Sequence, residues 1–158
     1  MHRPLIVAAL IAALPLLAFG AGQPPAATEK PHPSASAHAN AVAGQANAAR
    51  LEACDDLSSA MLGALEKGDF EAASSKFDAQ MRANLDAKKL GTVWTSVSAK
   101  LGALQSRGFP QAAMYQQLFI VVTPLYFQNG GVKAQIVCDM DNRIVGFHLQ
   151  PLAPAASN

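Results

Sequence analysis

From Gln117 to Gln150 the chain alternates apolar runs with short polar interruptions: LFIVVTPLYF, QNGG, VKAQIVCDM, DN and RIVGFHLQ. Three apolar runs of strand length, split by two turn signals, predict an antiparallel meander. Asn129-Gly130 and Asp141-Asn142 tolerate φ > 0, as two-residue hairpin turns require, and so set the turn centres. Counting outward, Phe127 faces Val132, Leu125 faces Ala134, Thr123 faces Ile136, Val121 faces Cys138 and Phe119 faces Met140. Across the second hairpin Cys138 meets Val145, Ile136 meets Phe147 and Ala134 meets Leu149. This face is almost wholly apolar. The opposite face carries Tyr126, Lys133, Gln135, Asp139, His148 and Gln150, with Val122, Val137 and Ile144 among them. One side of the sheet therefore needs a cover.

The cover lies upstream, where the period changes to 3.6. Over 50–67, Leu51, Cys54, Leu57, Met61, Leu62 and Leu65 form one stripe, and Gly68 ends the helix. Asp69 is placed to cap FEAASSKF, anchored by Phe70 and Phe77. Asp78 caps AQMRANL, and Asp86 caps a longer helix. There Leu90, Val93, Trp94, Val97, Leu101 and Leu104 share a stripe. Beyond it Gly108 and Pro110 mark an irregular passage, with a short strand before it and the long strand beginning near Ala112. Pro124 removes a ladder donor from that strand, so a bulge or an edge position is expected. The fold class is α+β: N-terminal helices on a curved antiparallel sheet of about four strands.

Residues 1–20 read as a secretory signal: His2-Arg3, a short apolar core from Leu5 to Phe19, and a small-x-small end at Ala18-Phe19-Gly20. The apolar run is shorter than the roughly 20 residues a bilayer span needs, so no stable membrane insertion is expected after cleavage. Residues 21–49 are rich in Ala, Pro, Ser and Asn, and read as a disordered linker. Residues 50–151 form the folded domain, and 152–158 a frayed tail. The formal charge of +1 falls to zero once Arg3 leaves with the leader, so nucleic acid has no electrostatic footprint to bind.

The segments GDFEAASSKFDAQMRANL, KLGTVW and DNRIVGFHLQP resemble the bacterial domain of unknown function 3887, over roughly residues 57–151. The marks are Gly68-Asp69-Phe70, Phe77-Asp78, Trp94 after Lys89-Leu90, and a last strand ending in Pro151. The resemblance implies the nuclear transport factor 2-like cone, with a pocket between helices and sheet. It also implies a domain found alone after a signal peptide or ahead of an α/β-hydrolase domain. These are packing and turn signals, so they imply a fold and no activity. Cys138 departs from the bulky apolar residue of that pattern.

The chemistry is sparse. There is no Gly-x-Ser-x-Gly elbow, phosphate loop or metal-ligand cluster, so no catalytic residue, metal or cofactor is assigned. His148 is the one histidine of the folded part, and the register puts it on the polar face beside Gln135. Counting back from Phe119 gives Tyr115 and Gln117 inward parity, as for Thr123, and Trp94 is expected to line the same space. These four are the candidate ligand pocket, with plain core packing as the alternative. The reading is an exported binding or accessory module, periplasmic or secreted, gripping a small apolar ligand or a periplasmic protein. An isomerase- or dehydratase-like enzyme is the alternative, and a homodimer through the sheet face fits either. Finally, Cys54 on the helix stripe and Cys138 on the covered face aim two sulfurs into one layer. A disulfide is expected between them.

Overall fold

The computed structural model describes residues 35–152, with side chains from residue 39. The expected leader, the first part of the linker and the end of the tail lie outside the described residues. The architecture is α+β, with four helices followed by a curved, open antiparallel sheet. The helices are α1 (Ala35–Glu66), α2 (Phe70–Ser74), α3 (Ala79–Asn84) and α4 (Ala87–Leu101). The strands are β1 (Leu104–Arg107), β2 (Gln111–Tyr115), β3 (Leu118–Phe127), β4 (Gly130–Cys138) and β5 (Ile144–Pro151). The expected class and order of layers hold, with five strands among the described residues where about four were expected.

Helix boundaries follow the capping chemistry. Asp69, Asp78 and Asp86 each accept a hydrogen bond from the backbone N–H three residues on, at 3.0, 2.6 and 2.8 Å. At the end of α1, Asp69 N donates to Ala64 O and Gly68 N to Leu65 O. This is the Schellman pattern, and Gly68 supplies its left-handed residue with φ of 72°. The one boundary that departs is the first. α1 begins at Ala35, fifteen residues before the expected start, inside the segment read as linker. Its alanines have high helix propensity, which a low content of large apolar residues does not reveal. Residues 39–45 are nevertheless exposed, so this arm has no packing of its own.

The strand order is β1-β3-β4-β5, with β2 also paired to β3. β1 and β2 thus occupy the same flank of β3, end to end. The break between them lies opposite Pro124. Gly108 N donates to Pro124 O at 2.7 Å, so the Pro124 carbonyl faces that flank. The N–H and C=O of a strand residue point the same way, and the donor that proline lacks is missing on the side where the neighbour is interrupted. The expected irregularity falls in the partner of β3, while β3 itself runs through the sheet interior.

The β3–β4 register is offset by two residues from the expected one: Phe127 pairs Gly130, Leu125 pairs Val132 and Phe119 pairs Cys138. Gln128-Asn129 form the turn, one residue earlier than Asn129-Gly130. An even offset preserves every side chain's face, so the buried set survives. In the second hairpin Ala134–Leu149 and Ile136–Phe147 pair as expected, but a bulge makes Cys138 pair Ile144 instead of Val145. The connection Asp139–Arg143 is closed by Asp139 N donating to Arg143 O at 3.0 Å, with Asn142 at φ of 56°. Asp139 accepts from the N–H of both Asp141 and Arg143. The bulge turns Ile144 inward, where it is buried, against its expected place on the outer face.

The core fills the space between α1, α4 and the inward face of the sheet, with Leu62, Leu65, Leu90, Phe119, Leu125 and Ile136 at its centre. Val93, expected on the buried stripe of α4, is exposed. Cys54 and Cys138 form a disulfide between α1 and β4, with Cα atoms 5.9 Å apart. Among the described residues no helix is long and apolar enough to cross a membrane.

Candidate functional site

The four residues expected to line one pocket do not meet. Trp94 and Thr123 are buried, on α4 and β3. Tyr115 is 63% exposed, and Gln117 lies exposed in a turn. The cause is a hairpin that the sequence does not announce. Tyr115 pairs Leu118 across Gln116-Gln117, so the chain reverses where a continuous strand was expected. Reversal puts Tyr115 beside Leu118 on the outer face, opposite in parity to Phe119. Gln116 takes φ of 55°, a conformation usually left to Gly, Asn or Asp, so no turn residue flagged it.

Trp94 instead borders a cleft of about 570 Å3 at the rim where α1, α4 and β1 converge. Ser98, Leu104, Glu66 and Arg107 line it with the indole. The Trp94 and Phe127 rings are 6.1 Å apart and tilted by 58°, a packed aromatic pair that holds the indole in place. Trp94 is 7% exposed, so the cleft meets a small part of a well-anchored ring.

The polar side of the cleft is an ion pair. Arg107 donates through Nε to Glu66 Oε1, and through Nη1 to Ser59 O at 3.2 Å. Arg107 pairs Leu125 in the sheet and so has inward parity, which lays its side chain against α1. Both partners are partly exposed, so the pair itself stabilises modestly. Its main effect is to hold a carboxylate at the cleft with one oxygen already engaged. Sequence reasoning missed this pair, because 41 residues separate its members and neither belongs to a motif. The one available signal was Arg107 itself, a charge in an otherwise neutral strand.

His148 is exposed and pairs Gln135 on the outer face, away from the cleft. Among the described residues no group of three or more His, Cys, Asp or Glu is placed to hold a metal ion. A largely polar cleft, with the edge of an indole and Leu104 on one side and a neutralised charge pair on the other, can hold a small molecule and orient a polar end. Among the described residues, Glu66 and Arg107 are the charged groups that line it.

The family model described as "Protein of unknown function (DUF3887)" matches residues 58–147. No curated protein and no solved structure matches the chain.

Proposed function

This chain belongs to the DUF3887 family, and we propose that it is an exported, non-catalytic binding or accessory module whose ligand enters the cleft beside Trp94. The observation that carries this reading is the cleft's make-up: among the described residues its one carboxylate, Glu66, is held by Arg107, and no imidazole lines it. A site that cannot offer a free base and a separate acid is better suited to holding than to proton transfer. The order of helices and sheet supports a nuclear transport factor 2-like cone, with the cleft at its mouth. The Cys54–Cys138 disulfide supports export to the periplasm or beyond, where such bridges persist. The basic-apolar leader over residues 1–20 supplies the route.

Trp94 is the chain's one tryptophan, so its fluorescence reports on the cleft without labelling. Titration with small aromatic and aliphatic ligands, after native mass spectrometry of the oxidised protein for retained mass, should find one that quenches or shifts the emission. Leu104→Arg should abolish that response, and His148→Ala should leave it unchanged. A flat emission across the panel with no retained mass would reject the cleft as a binding site. The enzyme reading, of the isomerase or dehydratase sort, draws on the fact that a carboxylate does line the cleft. Glu66→Gln separates the two: a binder keeps its ligand, whereas an enzyme using that base loses turnover.

A further inference from the structure

Among the described residues, strand β2 ends the sheet with no strand paired to its outer flank. It pairs β3 alone among those residues, with α1 near its inward face, and all five of its residues are exposed. Tyr115 and Leu118 flank a two-residue turn, so Tyr115, Ala113 and Gln111 exchange backbone hydrogen bonds with β3. The N–H and C=O groups of Ala112 and Met114 therefore point off the sheet. Proteins normally guard such an edge with lysine, proline or a bulge. β2 has none of these within its length. The other half of the same flank is guarded, since β1 ends at Arg107 and the chain then breaks away through Gly108-Phe109-Pro110. The opposite edge is partly occupied, because β5 exchanges hydrogen bonds with the 76–78 segment at Ile144.

We propose that β2 is an interface for a second copy of this chain, paired antiparallel about a two-fold axis at Ala113. In that register Ala112 lies opposite the partner's Met114, and each outward N–H and C=O finds its complement, giving four hydrogen bonds. Ala113 lies opposite the partner's Ala113, and two small side chains leave the backbones free to approach. Gln111 lies opposite the partner's Tyr115 on the outer face. The charge pattern favours this occupant. No charged residue occurs between Arg107 and Lys133, so the β2–β3 hairpin meets its own copy without like-charge repulsion. Tyr115 and the nearly fully exposed Phe109 add apolar surface beside the seam. The area sets the strength. A five-residue edge falls short of the roughly 1,200 Å2 at which stable specific interfaces begin, so association is weak, with a Kd on the order of 100 μM.

Sedimentation equilibrium of the oxidised, full mature chain from about 10 μM to 1 mM should give a mass that rises from monomer toward dimer. Ala113→Glu and Ala113→Lys each place like charges opposite one another at the axis, and each should weaken association at least tenfold. An equimolar mixture of the two should associate again, because unlike charges then meet. Met114→Pro should also abolish association while leaving the monomer's melting temperature nearly unchanged, since the N–H it removes points away from β3 and has no partner among the described residues. A wild type that stays monomeric to 1 mM would overturn the proposal. So would a dimer indifferent to both charges at position 113, or charge variants that stay apart when mixed.

Discussion

Replacing Trp94 by Ala should lower stability by roughly 3–5 kcal/mol in denaturant unfolding of the oxidised protein, as large-to-small core changes do. The residue is nearly buried and packs its ring against Phe127, so both cavity formation and lost aromatic contact contribute. A variant that unfolds at the parent's midpoint would mean the indole is held far more loosely than its burial implies. Sequence placed Trp94 correctly because its neighbours Leu90 and Val97 keep the 3.6 period. Val93 fits the same stripe on paper yet lies exposed, since it is at the margin of the arc that α4 turns toward the sheet. Tyr115 was misplaced for a different reason: parity counting assumes an unbroken strand, and a Gln-Gln turn gives no warning. The candidate pocket failed at that residue, while the cleft that does exist depends on Glu66 and Arg107, whose meeting only the tertiary fold creates.

Caps and faces were legible because each is a local decision. Three aspartates fixed three helix starts, and alternation fixed which side of the sheet is buried even though the first turn sits one residue from its expected place. The start of α1 was not legible, because polar alanine-rich sequence is compatible with both a helix and a linker when nothing packs against it. Its arm is a helix without tertiary support, and short isolated helices are marginal in water. Deleting residues 21–45 should therefore shift the melting temperature by no more than about 2–3 °C, as changes at unpacked surface do. The first side-chain anchor lies beyond the deletion, where Arg50 donates to Met140 O at 3.2 Å. A drop of several degrees would show that the arm contacts the domain after all.

Across the whole molecule the Cys54–Cys138 bridge joins the helical layer to the sheet, at a sequence separation of 84. Exchanging both cysteines for Ala should cost roughly 4–5 kcal/mol in the entropic model, read as a lower denaturation midpoint matched by the reduced wild type. That is a large share of the about 5–15 kcal/mol typical of a domain. If neither the double variant nor reduction moves the midpoint, the layers are held by packing alone. The same separation sets an order of events during manufacture. Ribosomes add about 5–20 residues each second, so Cys138 is polymerised some 4–17 seconds after Cys54. Throughout that interval the first thiol has no intramolecular mate, and nearly the entire sheet must be delivered before the correct one arrives. The bridge therefore closes only after β4 has been delivered, and the helical layer is complete before it can be locked to the sheet.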